Sequence, residues 1–125
     1  MNENEISFKI RGAIFKVYNN LGPGLLESVY EAALTYELKK EGLTVRMQVP
    51  LPVTYEDIHL DLGFRIDLLV GELVIVEVKS IENLHEVHHK QVLTYLKLTG
   101  KKLGILVNFN TDNIAESIFR KANKL

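Results

Sequence analysis

A chain of 125 residues, 46% hydrophobic and 25% charged, has room for one hydrophobic core, so a single domain spanning residues 1–125 is expected. A net charge of −1 gives no general attraction to phosphate backbones, which limits any nucleic-acid footprint to a local patch such as Lys39-Lys40, Lys97 or Lys101-Lys102. The absence of cysteine excludes disulfides, thiolate nucleophiles and zinc knuckles. No apolar run reaches the roughly 18 residues of a membrane helix, and Met1-Asn2-Glu3-Asn4-Glu5 has neither the basic nor the apolar region of a signal peptide. A cytoplasmic protein without membrane partners is the expectation.

In chain order, Ile6, Ile10, Ala13, Ile14 and Val17 recur at helical spacing and predict an amphipathic helix over residues 5–20. Pro23 suits the first turn of a second helix, which should run to about residue 41 and stop at Gly42. Residues 43–49 alternate, with Leu43, Val45, Met47 and Val49 on one face, as in a half-buried strand. Pro50 and Pro52 interrupt ladder pairing, so the stretch to Tyr55 reads as an edge or a bend. After a turn at Glu56-Asp57, a strand over 58–70 with a break at Gly63 leads through Gly71-Glu72 into the buried strand 73–79. Helical spacing returns over 84–99 and closes at Gly100. A short strand over 103–109 follows, and Thr111 or Asp112 is placed to cap a final helix with the stripe Ile114, Ile118 and Ala122. A helical crossover makes the last two strands of this order parallel, and the tight turns before it make antiparallel neighbours. The expected fold is therefore α/β (α+β), a mixed sheet with helices on its faces and an additional helix at each terminus.

The buried-looking strand carries charges at its end. Glu77 and Lys79 share one face, and Asp67 lies on the preceding strand. Ion-bearing side chains are seldom taken into a core unless they pair or bind a metal. Two carboxylates suit Mg²⁺ or Mn²⁺, with a substrate phosphate completing the coordination, and a nearby lysine can orient water or neutralise developing charge. A structural ion-pair network is the competing reading. The metal reading also sets a geometric condition: directly opposed hairpin residues have a constant index sum, which must be even for Asp67 to face Glu77. A two-residue Gly-Glu turn fails this condition, whereas a three-residue loop or a bulge meets it.

Gly24, Glu27 and Tyr30 lie at three-residue spacing on the second helix, so Glu27 is a further candidate ligand of metal or water. Gln91 and Tyr95, four apart within an apolar stripe, imply that the later helix faces something polar. His85-Glu86-Val87-His88-His89 fits the zinc-protease pattern H-E-x-x-H, but only His59 offers itself as a third ligand. These histidines could instead contact a phosphate or shuttle a proton.

Four stretches together resemble the GxxExxY family, a compact branch of the PD-(D/E)XK nuclease superfamily. They are Gly22-Pro23-Gly24-Leu25-Leu26-Glu27-Ser28-Val29-Tyr30, Arg65-Ile66-Asp67-Leu68-Leu69-Val70, Val76-Glu77-Val78-Lys79 and Gln91-Val92-Leu93-Thr94-Tyr95-Leu96. Ile66 stands where the superfamily name has proline. The resemblance implies an αβββαβ restriction-endonuclease-like core and a Mg²⁺-dependent nuclease acting on DNA or RNA. It makes Asp67, Glu77 and Glu27 the metal-binding acids, Lys79 the motif lysine, and Gln91, Tyr95 and Tyr30 substrate-positioning residues. The alternative is a non-catalytic module that binds nucleic acid or a protein partner, and a homodimer is compatible with either.

Overall fold

The computed structural model describes residues 1–60 and 63–125. The first helix, α1 (Glu3–Leu21), opens with a reciprocal cap between Asn2 and Glu5 and buries the five residues of the expected stripe. The second, α2 (Glu27–Lys40), starts later than Pro23 suggested. Gly24 takes φ +96, which no helix accepts, and the tyrosine Tyr30 holds the loop shut by donating to Gly22 O and accepting from Leu25 N at 3.2 Å.

Five strands form the central sheet in the order β1-β4-β5-β6-β7: β1 (Val45–Pro50), β4 (Arg65–Val70), β5 (Val74–Lys79), β6 (Leu103–Asn108) and β7 (Ile118–Ala122). Helix α3 (Glu86–Thr99) is the crossover between β5 and β6, which pair in parallel as expected, while β4 and β5 are antiparallel. The proline-flanked stretch leaves the sheet and makes a separate hairpin of β2 (Val53–Tyr55) and β3 (Ile58–Leu60). The break expected near Gly63 adjoins residues 61 and 62, which lie outside the described residues.

The predicted C-terminal helix is not formed. A single 3₁₀ turn over Ile114–Ser117 leads into β7, which pairs antiparallel with β6. Thr111 does not cap a helix; its hydroxyl is engaged with Asn113 N and O and with Ser117. An unpaired β6 edge would leave a row of backbone donors and acceptors free, and the β-branched and aromatic pair Ile118-Phe119 suits a strand better than a helix.

The sheet is covered on both sides. Leu68, Val70, Val74, Val76 and Val78 pack with α1 and α2, whereas Leu69 and Ile75 pack with Tyr95 and Leu96 of α3. Within this arrangement α2, β1, β4, β5, α3 and β6 follow the αβββαβ order, flanked by α1 and β7. Among the described residues no helix is long and apolar enough to cross a membrane.

Candidate active site

The β4–β5 hairpin determines where the charged residues meet. Gly71 and Glu72 both take φ +59, and Leu73 N donates to Val70 O at 3.1 Å, which alone would make a two-residue turn. Yet Val70 pairs with Val74, so Leu73 is an additional residue. The paired positions 68 and 76 sum to 144, as do 69 and 75. Asp67 and Glu77 share that even sum and lie on the same side of the sheet. Beyond Leu68 and Val76 side chains replace the backbone ladder. Val78 N donates to Asp67 Oδ2 at 2.8 Å, and Asp67 N reaches Glu77 Oε2 at 3.4 Å.

Glu77 is only 2% exposed. Burial, and then the neighbouring Asp67 carboxyl, push its pKa up to about 10, against the opposing charge of Lys79. Its ionised form therefore lacks a sufficient counter-charge. Glu31 of α2, also buried, is shifted upward as well, first by burial and then by Asp67, while Gln48 Nε2 donates to its Oε1 at 2.6 Å and works the other way. The same amide lies 3.4 Å from Asp67 Oδ1. Glu31 and Gln48 thus belong to the acidic cluster, although neither was predicted. Glu31 had a legible signal, because it stands three residues before Leu34 and four before Thr35 on the buried stripe of α2. Gln48 had none, because it reaches Asp67 only through the β1–β4 register, in which paired positions sum to 115.

Glu27 is the first residue of α2, and its Oε2 accepts from Ser80 N at 2.9 Å. Ser80 Oγ donates to Leu25 O at 2.6 Å, tying the same loop to the segment that follows Lys79. From the other side, the buried Asn108 accepts from Ile81 N at 3.1 Å and donates to Ile81 O at 2.9 Å. Two clamps therefore fix the backbone directly after Lys79. Tyr30 cannot position substrate by touching it: the residue is 0% exposed and stacks on Phe109 with ring centroids 4.2 Å apart. It shapes the loop that meets Ser80 instead.

On α3, Gln91 Nε2 donates to Tyr95 Oη at 3.0 Å. The Tyr95 phenol is pushed upward by burial and then by the charge of Glu77, which places it within the field of the acidic pair. Lys79, His88, Gln91 and Tyr95 line one groove of about 740 Å³ together with Phe64. His88 is shifted downward by burial and then by Lys79. The zinc-protease pattern is not assembled. His88 Nδ1 accepts from His85 N at 2.9 Å, the His89 ring packs edge-on against Phe119, and His59 bonds to Thr54 in the separate hairpin.

Among the described residues no group of three or more His, Asp or Glu side chains is placed to hold a metal ion. Asp67 and Glu77 are brought together, and Glu27 gives one of its two oxygens to the Ser80 amide. The chemistry of the pair nonetheless fits a hard divalent cation. A buried carboxyl that otherwise keeps its proton, facing a second carboxylate, offers oxygen donors whose repulsion a cation relieves.

A family model of the PD-(D/E)XK nuclease superfamily matches residues 4–121. No curated protein and no solved structure matches the chain.

Proposed function

The chain belongs to the PD-(D/E)XK nuclease superfamily, and on that premise we propose that it is a Mg²⁺- or Mn²⁺-dependent nuclease of the GxxExxY branch, hydrolysing DNA or RNA at the end of the β4–β5 hairpin. The observation that carries this reading is the opposition of Asp67 to Glu77, with Glu77 buried and driven up to about 10 when no cation is beside it. A folding requirement alone gives no reason to bury that carboxyl opposite another. The branch assignment rests on the run from Gly24 through Glu27 to Tyr30. A single domain working in the cytoplasm is consistent with this reading.

When bound, the divalent ion supplies Lewis-acid polarisation of the phosphoryl group and acidifies a water. Asp67 and Glu77 would hold it through their carboxylate oxygens. Lys79 orients the attacking water and offsets the charge that develops on the phosphoryl oxygens. Hydrolysis forms one bond from the water oxygen to phosphorus and breaks one ester bond, the departing oxygen taking up a proton. Glu27 and Asn108 hold Lys79 at its place by fixing Ser80 and Ile81. Gln91 and Tyr95 present a fixed amide and hydroxyl on the groove side, where substrate is aligned.

Purified protein supplied with Mg²⁺ or Mn²⁺ is expected to cut a nucleic acid. Lys79→Ala and Asp67→Asn should each abolish cutting while circular dichroism shows an intact fold. Cutting that persists in both variants overturns the proposal. Binding to nucleic acid with no cutting under any divalent ion would favour the non-catalytic module.

A further inference from the structure

We propose that the groove beside Lys79 receives an unstacked nucleobase, so that the nucleic acid entering the site is single-stranded there. The inference rests on the nuclease reading for the direction of the phosphate, and on the groove itself for the rest.

Helix α3 presents two stripes. Val92, Tyr95 and Leu96 are buried toward the sheet, while Val87, Gln91, Thr94 and Leu98, spaced four, three and four residues apart, line the groove. Val87 is 64% and Leu98 46% exposed, and with Phe64 and Val53 they form one continuous apolar lining. The facing wall is made by Val53, where the β2–β3 hairpin leaves the sheet, and by Phe64. Phe64 is 42% exposed and meets Tyr95 edge-on, with ring centroids 6.4 Å apart and planes at 65°, so its ring is braced. The groove, at about 740 Å³, has the size and the mainly apolar lining of a site for a flat organic group.

Access to the faces of the bases decides which form of nucleic acid fits. A duplex hides its bases and presents a phosphate charge about every 1.7 Å of axis, so a protein that grips it needs several cations along the contact. Lys79 is the only lysine or arginine among the described residues of this groove, and the whole chain carries a net −1. A single strand offers a different match. Its bases have exposed faces that stack on aromatic side chains without regard to sequence, which the paired and mutually stacked bases of a duplex do not offer. Lys79 lies at the junction of the groove and the acidic pair, so a nucleotide with its phosphate there extends its base along Phe64. A protein segment in the groove would cover Lys79 instead of delivering a phosphate to it.

The test is equilibrium binding of the full chain, in EDTA so that nothing is cut, to a fluorescent single-stranded oligonucleotide and to the same sequence as a duplex. The single strand should bind at least about tenfold more tightly. Phe64→Ala should weaken single-strand binding about 5- to 150-fold, the range expected for loss of one stacked base, while Phe64→Trp retains it. Val87→Glu, at an exposed position, should weaken it with an unchanged melting temperature. Duplex binding as tight as single-strand binding overturns the inference, as does single-strand binding indifferent to both Phe64→Ala and Val87→Glu. Metal-dependent cutting together with such indifference removes the groove and leaves the nuclease reading standing. Groove-dependent single-strand binding without cutting supports the groove and removes the nuclease.

Discussion

Substituting Glu77 by Gln should stabilise the metal-free protein, and increasingly so as the pH rises. The folded state holds the Glu77 proton up to about 10, whereas an unfolded chain releases it near the ordinary glutamate value of 4.5. A carboxyl whose pKa is raised on folding contributes its stability in full below the unfolded pKa and loses it as the pH climbs toward the folded one. The window is therefore from about pH 4.5 to about pH 10. Each pH unit inside it costs about 1.4 kcal/mol, so between about pH 5 and about pH 8 wild type should lose roughly 4 kcal/mol that the Glu77→Gln protein keeps. Gln mimics the protonated shape and has no proton to release. The measurement is urea unfolding of both proteins in EDTA at the two pH values. A stability difference that stays constant between them refutes the reasoning. Mg²⁺ or Mn²⁺ added at the alkaline end should raise the wild-type midpoint and leave that of Glu77→Gln nearly unmoved, because only the wild type regains a stabilised carboxylate pair.

Three further outcomes follow from contacts around the site. Glu27→Gln keeps an oxygen for the Ser80 amide and should leave stability and cleavage near wild type, whereas Glu27→Ala should lose about 1–3 kcal/mol; cleavage lost in a fully folded Glu27→Gln protein would show that the Glu27 charge serves the metal as well as the Ser80 amide. Tyr30→Phe keeps the stack on Phe109 but removes the hydroxyl that joins Gly22 to Leu25, and should cost about 1–2 kcal/mol by urea unfolding. Gly71→Ala forces a side chain into φ +59 with its Cβ 2.8 Å from Ile6 Cδ1, and should lower stability by about 1–3 kcal/mol; an unchanged melting midpoint would mean that the turn tolerates a Cβ.

The parts of the fold set by local pattern were legible in the sequence. The apolar stripe of α1 names its five buried residues because one helix face meets one sheet. The parallel pairing of β5 with β6 follows from the helical crossover between them. What failed depended on partners remote in sequence. Ile114, Ile118 and Ala122 satisfy a helical period, but the open edge of β6 claims that segment as a strand. Tyr30 carries the family spacing and yet turns inward, because Phe109 and the Gly22–Leu25 loop both await it. Gln48 enters the cluster only by lying across from Asp67 in the β1–β4 register, a relation no spacing within either strand contains. The opposition of Asp67 to Glu77 reduces to one parity condition on the turn, and the hairpin meets it through Leu73.

That extra residue makes the hairpin act as a reading frame for the acidic pair. The site is encoded there by a count and not by a side chain, so replacing Leu73 with another residue leaves the frame intact, whereas deleting it would turn either Asp67 or the valines of β5 to the wrong side. Inserting one residue would do the same, and inserting two would restore the facing pair. Anyone grafting this site onto another sheet would therefore have to copy the length of the turn before copying any of the charges.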